Sequence, residues 1–348
     1  MIETCALPAF GIDEAARIVR DLFSIDGSLQ RLNGERDLNY LVTTDRGRFV
    51  FKIANRDETY ALLECQHQVL ERLAANKVMN QQTSSVVSVN AKAIETISGE
   101  DGIDYFCRML HYIDGRLLSS VTAHTPELLI NLGKTLARLD VSLQGFKHEA
   151  LNRRFIWNMT DALATLEGFK PFLESNQKRE MVENFETMFR NTVLPAGQSL
   201  RQAVIHNDAN DNNVLVVGDS ADELTISSII DFGDMVYSWL AVEPAVAAAY
   251  AMMGKDKPLE AAASIFRGYH ESLPMRESEI AVLFELICMR LCMSVCICAR
   301  QKSIEPDNEY LKISEQPAWD LLHKLSHIQP AEAHKQFREA CGLAPDTN

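Results

Sequence analysis

The sequence predicts an α+β fold in two parts: a small antiparallel β-rich part over residues 1–110 and a larger, mostly helical part over 111–348. Three observations predict it. Short strand-like runs separated by polar turns fill the chain up to about residue 110. Apolar residues then recur at helical spacing through most of the remainder. Three short apolar strands, at 203–205, 214–217 and 226–230, interrupt those helices and flank two acidic motifs.

Taken in order, residues 11–23 carry Ile12, Ala15, Ile18, Val19 and Leu22 at helical spacing. Strands follow at 29–32, 38–44 and 48–53. The turns between them are Asn33-Gly34-Glu35-Arg36-Asp37 and Asp45-Arg46-Gly47, so the three strands form a meander. Residues 58–74 return to a helical pattern through Leu62, Leu63, Val69 and Leu70. Further strands are expected at 86–97 and 105–110, with Gly99-Glu100-Asp101-Gly102 as a turn. Residues 125–144 place Leu128, Leu129, Leu132, Leu136 and Leu139 on one helical side, 155–193 continue helical, and the chain is nearly all helix from Glu243 onward.

Composition narrows the function classes. The 348 residues suit one large enzyme or a pair of lobes. Apolar content of 47% and charged content of 24% describe an ordinary globular chain. A formal net charge of −14 argues against nucleic acid as a partner, because duplex binding needs basic surface to displace counterions. Residues 1–5 lack a basic start followed by an apolar core, so no signal peptide is expected. The apolar runs 244–253 and 286–299 are short, and the second carries Arg290, so no membrane span is expected. The reading is cytoplasmic. Eight cysteines include no CxxC pair; Cys288, Cys292 and Cys296 share one helical stripe and read as small buried hydrophobes rather than a metal site.

The chemistry concentrates in His206-Asn207-Asp208-Ala209-Asn210-Asp211-Asn212-Asn213, a polar loop between two apolar strands. Asp208 and Asn213, with Asp231 following at the end of a third strand, match the parts that phosphoryl transfer needs. One carboxylate deprotonates the attacking hydroxyl, while an amide oxygen and a second carboxylate hold Mg²⁺. Gly233, just after Asp231, permits a sharp turn. A calcium loop starting at Asp208 is the rival reading. It fails because its sixth position is Asn213 instead of Gly, its twelfth is Asp219 instead of Glu, and strands flank it.

In the N-terminal part, Lys52 lies inside the apolar strand 48–53, where a charge needs a partner. Glu64 on the following helix is the expected one, with Glu58 as competitor. The pair would hold nucleotide phosphates. An edge-strand lysine reaching to solvent is the alternative. No Gly-x-Gly-x-x-Gly occurs, which leaves Gly34 in the 33–37 turn as the candidate cover for the phosphates. Gly133-Lys134-Thr135 is not a phosphate-binding loop, since Leu128 stands at the upstream glycine position and the setting is mid-helix.

These motifs resemble the aminoglycoside phosphotransferase and choline kinase superfamily, relatives of the protein kinases. The resemblance spans nearly the whole chain. It is carried by His206-x-Asp208-x-x-x-x-Asn213 and Asp231-Phe232-Gly233-Asp234. Within the superfamily, the stretches 32–37, 51–53, 63–66, 115–116, 138–140 and 155–159 look most similar to hydroxylysine kinase-type phosphotransferases. The resemblance implies a protein-kinase-like two-lobed fold, with ATP or GTP as donor and Mg²⁺ as cofactor. Asp208 would be the catalytic base, within a catalytic motif that also holds His206. Asn213 and Asp231 would bind the metal, Lys52 and Glu64 would anchor phosphates, and residues 109–114 would receive the purine. Asn207 stands where protein kinases usually have Arg, and no Ala-Pro-Glu segment follows Asp231. Both departures favour a small acceptor over a protein.

A hydroxylated amino acid needs a cation for its carboxylate and acids for its ammonium groups. Arg290, Glu243, Trp157 and Asp234 are candidates. Against three of them stand plainer roles: a helix-surface or buried ion-pair arginine for Arg290, core packing for Trp157, and a helix start for Glu243. The expected function is a small-molecule kinase acting on a hydroxyl of a small amine or hydroxylated amino acid, hydroxylysine-like compounds favoured. The alternatives are another acceptor, such as homoserine, choline, ethanolamine or an aminoglycoside, and a non-catalytic nucleotide-binding module. The sequence names neither the acceptor nor the oligomeric state.

Overall fold

The computed structural model describes residues 7–34, 36–89, 92–304 and 315–344. Residues 1–5, where no signal peptide is expected, and Glu35 of the first turn lie outside them. The chain divides into two compact units, 1–114 and 115–348. The boundary falls later than the 110/111 expected because the last strand of the first unit runs on to His111 and Arg48 pairs with Asp114.

In the first unit, helix α1 (Ile12–Phe23) precedes the strands β1 (Ser28–Leu32), β2 (Leu38–Thr44) and β3 (Gly47–Ile53). Helix α2 (Tyr60–Ala75) follows, then β4 (Val86–Val87), β5 (Ile94–Ser98) and β6 (Asp104–His111). The sheet order is β1-β2-β3-β6-β4, all antiparallel, with β5 also on β6. Strand periodicity decides what each face meets. Phe49, Phe51 and Ile53 point to α1 and pack with Ala15, Val19 and Phe23. Lys52 points the other way, beside its cross-strand neighbours Asn39 and Arg108. Thr59 caps α2 by accepting the Leu62 N–H, and Leu63 packs on Ala54 and Ile94. The single strand expected over 86–97 is instead two short ones sharing the edge of β6, since an eight-residue strand cannot pair with twelve. Asn90 and Ala91, between them, lie outside the described residues.

The second unit opens with β7 (Arg116–Leu117), then α3 (Pro126–Leu143), α4 (Ala162–Phe169) and α5 (Asn176–Ala196). Strands β8 (Gln202–Ile205), β9 (Val214–Val217), β10 (Thr225–Ile229) and β11 (Val236–Trp239) follow. The rest is helical: α6 (Val242–Ala251), α7 (Pro258–Ser272), α8 (Glu277–Ile280), α9 (Leu283–Ile304), α10 (Glu315–Ser326) and α11 (Pro330–Ala340). β10-β9-β7 form one small sheet and β11-β8 another.

Residues 277–304 are long and apolar enough to cross a membrane, but 89% of their most apolar window is buried. The stretch is the core helix of this unit, and Cys288, Cys292 and Cys296 are buried hydrophobes along it. Gly133 lies mid-helix in α3 and lets the backbone of α7 approach: a Cβ there would stand 2.0 Å from the Ile265 carbonyl oxygen, and one on Gly268 would stand 1.9 Å from that of Ile130.

Candidate active site

The loop between β8 and β9 is held by its own side chains. His206, fully buried, accepts the Asp208 N–H at Nδ1 (3.3 Å) and so donates from Nε2 to the Ile230 carbonyl (3.0 Å). Its ring meets Phe232 edge-on at 4.8 Å. Ile230 in turn donates its N–H to the Asn213 carbonyl (2.9 Å). Asp231 therefore leaves β10 fastened on both sides to the loop that carries Asp208 and Asn213. It takes a left-handed conformation, φ 64°, and its Oδ1 accepts the Gly233 N–H (3.3 Å). A non-glycine residue held there stores strain, a common mark of functional turns.

Asp208 is gripped at both oxygens. Oδ1 accepts from Arg290 Nη2 (2.7 Å), and Oδ2 from Asn213 Nδ2 (2.8 Å) and Asn210 Nδ2 (3.0 Å). Burial raises its carboxyl, the Arg290 guanidinium opposes, and the Asp234 and Asp231 charges add to the rise. The Asn213 amide nitrogen is spent on Asp208, which leaves its oxygen as the donor for a cation. No group of three or more His, Cys, Asp or Glu suited to a metal occurs among the described residues. Asn213 Oδ1 and the exposed Asp231 carboxylate are nevertheless two hard oxygens. Such a pair fits Mg²⁺ when phosphate oxygens and water complete the shell.

The structure corrects several expectations. Arg290, 1% exposed, pairs with Asp208 rather than presenting a free cation, and its guanidinium stacks on Trp157 (4.4 Å). Glu243 is fully buried and accepts the Asn207 N–H (3.0 Å), so it braces the loop from behind instead of facing an acceptor. Burial raises its carboxyl, and the Asn207 N–H that it accepts opposes the rise. Asp234 is also largely buried, and its carbonyl accepts from Asn207 Nδ2 (3.2 Å).

The expected Lys52–Glu64 pair is absent. Lys52 Nζ lies 3.7 Å from Asp37 Oδ2, and Asp37 also accepts from the backbone and side-chain amides of Asn55. Glu64 is exposed, in line with Gln68, Glu71 and Arg72 on the outer stripe of α2. Gly34 sits in a tight turn, where a Cβ would meet Asp37 O and Asn39 Nδ2, each at 2.5 Å. Three further residues escaped sequence reasoning. Asn210 and Tyr250 contact Asp208 and Arg290 respectively, and Arg153 donates to the Gly233 carbonyl (2.9 Å).

Residues 28–279 match the model of the phosphotransferase enzyme family. The chain belongs to that family. It is 30% identical to hydroxylysine kinase of Bos taurus over 91% of this chain and 90% of the other, and 26% identical to homoserine kinase of Methylobacillus flagellatus over 72% of each. Among solved structures, the microcompartment-associated aminopropanol kinase superposes with a TM-score of 0.71 at 17% identity, covering 96% of this chain and 99% of the other. An amicoumacin kinase gives 0.65 at 13%, covering 87% and 91%. The fold is thus that of the small kinases, with an antiparallel-sheet N-terminal unit and a helical C-terminal one, and the protein is a small-molecule phosphotransferase acting on a hydroxyl.

Proposed function

We propose that this phosphotransferase moves the γ-phosphoryl group of ATP or GTP to a hydroxyl of a small amine or hydroxylated amino acid, with hydroxylysine-like acceptors favoured. The observation that carries the reading is the Asp208 carboxylate, fixed at both oxygens beside Asn213 and stapled through Ile230 to Asp231. In this reading Asp208 accepts the proton of the acceptor hydroxyl as its oxygen bonds to the γ-phosphorus and the bond to the β-phosphate oxygen breaks. Asn213 and Asp231 would hold Mg²⁺, which would supply charge neutralisation on the phosphates. Lys52, steadied by Asp37, anchors the nucleotide phosphates. His206 stays a positioning group, its ring joining the two loops.

The acceptor class rests on the relatives over most of the chain: hydroxylysine kinases at up to 30% identity and a homoserine kinase at 26%. Both of these relatives are named for hydroxylated amino acids, which sets that class ahead of choline, ethanolamine and aminoglycosides. Use of a nucleotide donor and the buried free cysteines suit the cytoplasm. The test is a panel of 5-hydroxylysine, homoserine, 1-amino-2-propanol, choline, ethanolamine and an aminoglycoside, each with Mg-ATP and Mg-GTP. The expected result is the highest kcat/KM on 5-hydroxylysine. A preference for an acceptor without a carboxylate would overturn the amino-acid reading, and transfer to none would overturn the acceptor class altogether.

A further inference from the structure

Arg290 sits on the core helix α9, among Ile287, Leu291 and Met293, all buried. Taking a guanidinium out of water costs several kcal/mol, and a buried pair seldom recovers more than it loses. Here the return is small. Nη2 bonds Asp208 Oδ1 at 2.7 Å and reaches Tyr250 Oη at 3.5 Å, while Nε and Nη1 are buried with no acceptor. The guanidinium carbon lies over the rings of Trp157 (4.4 Å) and Tyr250 (5.7 Å). An arrangement that adds little stability and fixes one carboxylate oxygen this firmly has its use in geometry.

The lone pairs of Asp208 say which geometry. An ionised carboxylate oxygen has about two acceptor sites. Oδ2 receives two amide donors, from Asn210 and Asn213, and is filled. Oδ1 receives Arg290 and keeps one site open. With donors on both oxygens from separate directions, the carboxylate cannot turn about its Cβ–Cγ bond without losing one of them. We infer that Arg290, clamped by Trp157 and Tyr250, is a positioning residue that holds Asp208 so that Oδ1 presents its remaining lone pair to the acceptor hydroxyl. The inference rests on Asp208 being the base. It makes Oδ1 the atom that takes the proton, and it gives the arginine no direct contact with the acceptor.

A double-mutant cycle tests it, using the full chain, Mg-ATP and the acceptor of highest kcat/KM from the panel, in single-turnover assays. Arg290→Met lowers the transfer rate about 100-fold, the cost of a carboxylate displaced by about 1 Å. Acceptor KM and nucleotide Kd stay within about twofold. On the Asp208→Asn background the same substitution produces no further loss, because the group it positions is gone. Losses that multiply across the two sites would overturn the inference, as would a raised acceptor KM with the rate intact, which would make Arg290 an acceptor ligand. Arg290→Lys covers the case in which the methionine variant does not fold. It keeps the charge without the planar fork, so an intermediate rate is expected, and an undiminished one would refute the clamp. The underlying reading fails separately: Asp208→Asn at near-normal rate sinks the base assignment, whereas loss in Asp208→Asn with full activity in Arg290→Met sinks only the role given to Arg290.

Discussion

Replacing Asn207 tests how the loop that carries Asp208 is held. Its backbone stands at φ 67°, its N–H is taken by Glu243, and its side-chain amide donates to the Trp157 and Asp234 carbonyls at 3.3 and 3.2 Å. Asn207→Ala removes both side-chain bonds, about 1 kcal/mol each. It also puts a Cβ-bearing residue without local hydrogen bonding into the left-handed region, about 1 kcal/mol more. The sum is roughly 3 kcal/mol. At about 2–4 °C per kcal/mol for a unit of this size, Tm falls by roughly 6–12 °C. Asn207→Gly loses the same bonds but tolerates the conformation, so it should melt above the alanine variant, the reverse of the usual order. Far-UV circular dichroism melts of both variants read this directly, with transfer rates measured on the same samples. Asp208 follows immediately, so both variants lose activity as well as stability. An alanine variant more stable than the glycine one, or one melting within a degree of wild type, would refute the account of the loop.

The other predictions concern separate parts of the molecule. Lys52→Ala should lower kcat/KM for the nucleotide by roughly 10–100-fold, the worth of one charge-assisted bond, and Asp37→Asn should lower it less; loss in Glu64→Gln but not in Asp37→Asn would restore the pairing the structure contradicts. Gly133→Ala or Gly268→Ala drives a Cβ to within 2.0 Å of a backbone carbonyl across α3 and α7, so each should cost about 3 kcal/mol or more, visible as a large fall in Tm. Burial pushes the thiols of Cys107, Cys296 and Cys341 up to about 12. A Cys5→Ser chain should therefore react with a thiol reagent at pH 8 only on unfolding, and rapid titration of the native protein would contradict the buried, protonated state.

Asp208, Asn213 and Asp231 were legible in the sequence because short apolar strands flank them, which fixes where their loops begin and end. Their partners were not, since Arg290 and Tyr250 reach the site from helices far along the chain and nothing local marks them. The sequence points to Arg290 as a cation for a carboxylate, which it is; the carboxylate belongs to the protein. Glu243 fails as an acceptor ligand for a related reason, as the start of α6 turns its side chain into the core behind Asn207. The Lys52 partner could have been found. The turn at Asp45-Arg46-Gly47 pairs Thr44 with Gly47 and hence Asn39 with Lys52, which sets Asp37 one step diagonal to the lysine. The helical phase of Leu62, Leu63, Val69 and Leu70 likewise puts Glu64 on the outer stripe with Gln68 and Glu71.

The central claim is that Asp208 takes the proton from the acceptor hydroxyl. Its most direct test is the single-turnover rate of Asp208→Asn with saturating Mg-ATP and acceptor, alongside nucleotide affinity as a check on folding. The account predicts a rate lower by at least about 100-fold, the usual worth of a general base, with nucleotide binding retained. A variant that binds nucleotide normally and still transfers phosphate at close to the wild-type rate would contradict it.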